Sequence, residues 1–158
     1  MNYINPIEIL ELQTTDIASL DNSIIKKAKR KLYANIDLSD HGHLAYKGIE
    51  ITKTDCEKVI DELENSNSLE FYTHLSNNRT LNDFLVNGNE TIFESFKQES
   101  IYKLPEFVKF ISPFFAQRFD KALLNAFTDN DEYKTRAILR TLCLVNTTNL
   151  NEAFKSKP

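Results

Sequence analysis

The sequence predicts an all-α protein of about seven to nine helices, because three features favour helices over strands. Its 158 residues include only 3 glycines and 4 prolines, and three glycines are too few for most Gly-dependent phosphate loops or turn-rich β-sandwiches. Apolar residues recur at helical spacing along most of the chain. Residues that favour helix N-termini precede several of these stretches. A chain of this length also buries a core without a disulfide or a metal.

The first two helices have clear start signals. Asn5 is a good N-cap and Pro6 fits the first helical position, so a short helix begins there. The second helix begins at Asp21 or Ser23 and runs to about Asn35. Its apolar stripe is Ile24, Ile25, Ala28, Leu32 and Tyr33.

An irregular loop is expected at residues 36 to 51, with a short extended segment at 48 to 51. Thr54 then begins the third helix, because Thr54 and Glu57 have the spacing of a capping box. A short helix follows Ser68. The polar joint at residues 76 to 78 favours two parts, 1-76 and 77-158, which could also form one continuous globule.

The C-terminal part is rich in phenylalanine. A helix ends at Gly88, and Pro113 starts or kinks another whose inner face holds Phe115, Phe119, Leu123 and Phe127. So many aromatic residues indicate either a hydrophobic groove or self-association surface, or a central helix surrounded by its neighbours. The last long helix includes residues 133 to 145, and one further turn is expected at 151 to 155.

Several N-terminal segments together resemble a known family. Asn5 to Leu12, Ile24 to Leu32, and Thr54 to Leu63 followed by Leu69 to Tyr72 are similar to the successive helices of a J domain, the co-chaperone module of DnaJ-like proteins. The resemblance implies a J-like helical hairpin packed on a C-terminal helical bundle. The family stimulates its ATPase partner through a His-Pro-Asp tripeptide after the second helix. This chain has no such tripeptide, and only His41-Gly42-His43 lies nearby, so the resemblance does not extend to ATPase stimulation.

The net charge of −4, from 19 basic and 23 acidic residues, gives no general attraction to nucleic acid or anionic lipid. No window approaches the roughly 18 apolar residues of a membrane span, and no signal peptide is expected. A cytoplasmic location follows, in which Cys56 and Cys143 are small buried hydrophobes. The abundance of Asn, Lys and Ile indicates a bacterial source.

One charge cluster is the strongest functional signal. The second helix carries a dense basic face formed by Lys26, Lys27, Lys29, Arg30 and Lys31. This face is either a docking surface for an acidic partner or a solvated helix face that balances nearby acidic residues. Nucleic acid is the less favoured partner, because no aromatic residue alternates with the lysines and the net charge is negative.

No metal or catalytic site is expected. His41, His43, Cys56 and His74 match no familiar zinc spacing, and two exposed loop histidines are the simpler interpretation. Cys143 lies among apolar residues, where a thiolate is disfavoured. No phosphate loop, dinucleotide fingerprint or metalloprotease helix is present, so no cofactor is predicted.

The favoured function is therefore a non-enzymatic adaptor or regulatory subunit that binds an acidic protein surface through its basic helix. The alternatives are a nucleic-acid-associated accessory protein and a divergent co-chaperone without ATPase stimulation. A small enzyme is the least favoured, and a homo-oligomer is possible.

Overall fold

The computed structural model describes residues 3–13, 19–65 and 68–155, and it confirms the all-α class. These ranges contain nine α-helices, one two-stranded antiparallel sheet and two short 3₁₀ segments, Ser100–Lys103 and Leu142–Leu144. The helices are α1 Pro6–Ile9, α2 Asn22–Leu38, α3 Lys53–Asn65, α4 Leu69–Asn77, α5 Arg79–Asn87, α6 Thr91–Ser95, α7 Pro105–Thr128, α8 Glu132–Leu139 and α9 Thr147–Lys155. The strands are β1 His43–Tyr46 and β2 Ile49–Thr52.

The chain forms two compact units. The first unit is Ile4–Asn82, and the second contains residues 83 to 155 together with Tyr3. In the first unit α1 contacts α3 and α4, and α2 contacts α3. Its core holds apolar side chains that are almost completely buried, among them Ile7, Ile36, Ile60, Tyr72 and Leu75.

The first two helix starts are those that the sequence predicts. The Asn5 side chain accepts from the backbone N–H of Ile7 at 3.0 Å, and the Asp21 side chain accepts from that of Ile24 at 3.0 Å. Each bond satisfies one of the N–H groups that a helix start leaves without an intrahelical acceptor. Helix α2 continues to Leu38, three residues beyond the predicted end.

The predicted start of α3 at Thr54 is wrong. The helix begins at Lys53, and the reciprocal capping box joins Thr52 and Asp55. Thr52 Oγ1 accepts from the Asp55 N–H at 3.1 Å, while Asp55 Oδ2 accepts from the Thr52 N–H at 3.0 Å. Strand β2 ends at Thr52 and gives it the extended backbone that an N-cap requires.

Most of the expected loop at residues 36 to 51 is ordered secondary structure. Only the extended segment at 48 to 51 is as predicted, since it lies largely in β2. Strand β1 pairs with β2 so that Tyr46 faces Ile49 across a two-residue turn. Both turn residues, Lys47 and Gly48, have positive φ (48° and 83°), as a type I′ hairpin turn requires.

A buried polar network lies where α1, α4 and β1 meet in the first unit. The completely buried Asn5 amide donates to three acceptors, Tyr72 O at 3.2 Å, Ser76 Oγ at 3.0 Å and Asn82 Oδ1 at 3.1 Å. Because the amide has two hydrogens, these acceptors share them.

The carboxylate of Glu8 is the second centre of this network. It accepts from the Tyr46 hydroxyl at 2.6 Å and from Asn82 Nδ2 at 2.5 Å, and it lies 2.9 Å from Lys47 Nζ. Burial, followed by the Glu8 interaction, raises the pKa of the Tyr46 phenol, so this hydroxyl keeps its proton and remains a donor. The network therefore joins segments that are far apart in the sequence.

Helix α7 is the principal element of the second unit, where it contacts α8, α9 and both 3₁₀ segments. Phe107, Phe115 and Phe119 are almost completely buried on it, which agrees with the interpretation as a central helix. Phe127, which the sequence places on the inner face, is 57% exposed, whereas the neighbouring Ala126 is completely buried. The helix begins at Pro105, and Pro113 lies inside it, so of the two predicted roles of Pro113 the helix start is wrong.

The prediction for Cys143 is also wrong. Helix α8 ends at Leu139, and Cys143 lies in the 3₁₀ segment Leu142–Leu144 with an exposed side chain. Leu144, the next residue of the 3₁₀ segment, is completely buried in place of Cys143. Helix α9 then begins at Thr147, so the predicted single turn is a nine-residue helix.

Candidate partner-binding site on helix α2

All of the predicted basic residues lie on α2, but they do not form one continuous face. At 3.6 residues per turn, Lys26, Lys29 and Arg30 lie on one side of the helix. Lys27 and Lys31 lie further round the helix, on the side away from its buried residues Ile25, Leu32 and Ile36. The cluster is therefore two groups with different surroundings.

Two of these cations already have carboxylate partners. Lys29 Nζ lies 3.0 Å from Glu64 Oε1 of α3, and both side chains are about one-third exposed or less. Lys31 Nζ lies 3.0 Å from Glu11 Oε2, but both side chains are well exposed. Lys26, Lys27 and Arg30 form no ion pair with any residue in the described ranges.

The first group lines an open groove of about 470 Å³, here called the α2 groove. Its lining residues are Asn22, Lys26, Lys29, Arg30, Tyr33 and Glu64. Except for Glu64, these residues recur three or four positions apart on α2, so their side chains follow one another along the same helix face. Lys27 and Lys31 do not line this groove.

Tyr33 differs from its predicted role in the apolar stripe. Its ring is half-buried and lines the α2 groove, and Lys53 Nζ lies 5.3 Å from the ring centroid. Burial, followed by the charges of Glu57 and Asp61, raises the pKa of the Tyr33 phenol to about 12. Tyr33 is therefore neutral at physiological pH and lies in a negative local field.

The groove offers cationic donors that can hold a carboxylate. Lys26 and Arg30 provide donors, and Tyr33 adds an aromatic surface. The predicted set missed Asn22, Tyr33 and Glu64. Asn22 and Tyr33 could have been found, because each lies at helical spacing from the basic residues on α2. Glu64 could not, because its place in the groove depends on where α3 packs.

The other candidate residues do not assemble into a site. Within the described ranges, no group of three His, Cys, Asp or Glu side chains could hold a metal ion. His41 and His43 are exposed, and His43 Nδ1 lies 3.7 Å from Glu50 Oε2. Cys56 is completely buried, and burial, with smaller contributions from Asp55 and Glu57, raises the pKa of its thiol to about 11.

Among the described residues no helix is both long and apolar enough to cross a membrane. Comparisons of the chain with protein-family models, curated proteins and solved structures give no match. The resemblance of the N-terminal segments to a J domain therefore stays a prediction from the sequence.

Proposed function

We propose that this protein is a non-enzymatic adaptor or regulatory subunit, acting in the cytoplasm, that binds an acidic surface of a protein partner through the α2 groove. The observation that carries this proposal is the pair Lys26 and Arg30. They lie one helical turn apart in the groove, and neither forms an ion pair with a described residue. Like charges at this spacing repel by a few tenths of a kcal/mol, and partner carboxylates would relieve that repulsion.

A nucleic-acid-associated function is the second candidate, and Tyr33 is the observation that favours it. An aromatic ring among cations is the arrangement that stacks bases in single-stranded nucleic acid. Two features weigh against it. Glu64 also lines the groove, and Glu57 and Asp61 act on Tyr33. A continuous phosphate backbone would meet these carboxylates, whereas a protein partner can place single carboxylates away from them.

The proposal is tested with two charge-reversal variants that change the net charge equally. One variant is Lys26→Glu with Arg30→Glu in the groove. The matched control is Lys27→Glu with Lys31→Glu outside the groove, where the exposed pair of Lys31 with Glu11 contributes at most about 1 kcal/mol. Each protein is used for affinity capture from its native cell, and the retained proteins are identified and quantified.

We expect at least one protein with an acidic surface to be retained by the wild type and the control and lost with the groove variant. Its retention should fall as the salt concentration rises, because salt screens the exposed charges. Equal retention by both variants would contradict the proposal. Retention of nucleic acid that disappears only with the groove variant would favour the second candidate instead.

A further inference from the structure

We propose that the α2 groove recognises an acidic helix that carries two carboxylates one turn apart, followed by an apolar side chain on the next turn. This inference rests on the proposed function and specifies the kind of partner segment that fits the groove. It involves Tyr33 and Glu64, which do not belong to the basic cluster that the sequence singles out.

The spacing of the groove residues is the first argument. Lys26 and Arg30 are four residues apart, or about 6 Å along the helix axis, and Tyr33 lies about 4.5 Å further along. A partner helix repeats its own side chains with the same rise. On a partner helix that runs parallel to α2, two acidic residues four positions apart, followed after three positions by an apolar residue, match Lys26, Arg30 and Tyr33 in order.

The three groove residues differ in chemistry, so the side chains of the partner helix must follow a fixed order along α2. Arg30 can hold one carboxylate through two parallel N–H donors, whereas Lys26 acts as a point charge. Tyr33 offers a half-buried aromatic surface for an apolar side chain, and aromatic residues commonly provide much of the binding energy of an interface. Exposed ion pairs alone are weak, so the contact with Tyr33 supplies the stable part of the binding.

The pair of Lys29 and Glu64 is the second argument. It shows a carboxylate from a neighbouring helix held in this groove, with 3.0 Å between Nζ and Oε1. Glu64 thereby neutralises Lys29 and places a negative charge beside the site. We expect it to act as an internal competitor, so removing its charge should strengthen the binding of an acidic helix.

The direct test uses the full chain and three probes. The matched probe is an alanine-rich helical peptide of about 16 residues, long enough to be helical in water, with two glutamates four positions apart and a leucine three positions later. The mis-spaced probe has the same composition, but its glutamates are two positions apart and point to different sides. The third probe is single-stranded DNA of mixed sequence. Binding is measured by fluorescence anisotropy at low salt.

We expect the matched peptide to bind about tenfold more tightly than the mis-spaced peptide, a difference of about 1.4 kcal/mol. The variant Glu64→Gln should bind the matched peptide about threefold more tightly, which loss of folding cannot imitate. Tyr33→Ala should weaken the binding of the matched peptide, whereas Tyr33→Phe should keep it, because the ring rather than the hydroxyl contacts the leucine.

The other outcomes separate this inference from the proposed function. Equal binding of both peptides, still lost with Lys26→Glu and Arg30→Glu, would overturn the spacing argument and leave the acidic partner in place. Unchanged or weaker binding with Glu64→Gln would overturn the competitor role. Failure of both peptides to bind would overturn this inference, while the capture experiment would still decide the proposed function. Preferential binding of the DNA through the same residues would overturn both proposals.

Discussion

Replacing Asn5 with alanine should destabilise the first unit far more than an ordinary loss of a helix cap. The change removes the cap of α1, which costs about 1 kcal/mol. It also removes the two amide N–H donors that serve Tyr72 O, Ser76 Oγ and Asn82 Oδ1 inside the protein. Each lost donor at a buried site costs about 1 to 1.5 kcal/mol. The expected total is about 3 to 4 kcal/mol, a large fraction of a typical free energy of unfolding.

The assay is urea denaturation followed by circular dichroism, with Asp21→Ala as the matched control. Asp21 caps α2 through the same kind of bond at the same 3.0 Å distance, but it is exposed, and it also accepts from the exposed Ser23 hydroxyl at 2.7 Å. The control should therefore lose only about 1 kcal/mol. Asn5→Asp keeps the cap acceptor but loses the donors, so it should be at least as damaging as alanine. If the alanine variants at Asn5 and Asp21 lose similar stability, the buried network does not stabilise the unit.

Three further predictions concern single residues. Gly88→Ala should lower the free energy of unfolding by about 2 to 4 kcal/mol, because φ is +80° and the new Cβ would lie 2.8 Å from Arg118 Nη1. The guanidinium would then be displaced from the carbonyls of Leu85 and Val86, to which it donates. The control Gly42→Ala, at positive φ but with open space around the new Cβ, should cost only about 1 kcal/mol. A thiol reagent should modify the exposed Cys143 quickly and the buried Cys56 only on unfolding; equal rates would contradict these positions. Because the pKa of the Cys56 thiol is raised in the folded protein, the unfolded chain loses the thiol proton at lower pH. The free energy of unfolding should therefore fall by up to about 3 kcal/mol between pH 9 and pH 11. In Cys56→Ala the fall over this pH range should be smaller by the same amount.

The sequence predicts helices and their caps well where one local pattern dominates. Asn5 and Asp21 are followed by apolar residues at helical spacing, and the competing start at Ser23 lies only two residues from the observed cap. The start of α3 is harder, because Thr52 with Asp55 and Thr54 with Glu57 have the same spacing. Only the pairing of β2 with β1 gives the first pair its extended backbone, and that pairing is a tertiary feature.

The cations of the candidate site are predictable from the sequence, but their carboxylate partners are not. Helical periodicity alone divides the basic residues into two groups. Which lysines are neutralised depends instead on where α3 places Glu64 and where the chain after α1 places Glu11. The exposure of Cys143 has a similar origin, because a 3₁₀ segment turns its side chains through a different angle from an α-helix.

The network around Asn5 also sets an order of events during synthesis. The Asn5 amide donates to Asn82 Oδ1, and Asn82 is made 77 residues later than Asn5. At about 5 to 20 residues per second, translation takes roughly 4 to 15 s to cover that interval. During this time α1 has neither its buried acceptors nor its packing partner α4, so a short apolar segment stays accessible to chaperones and proteases until the first unit is complete.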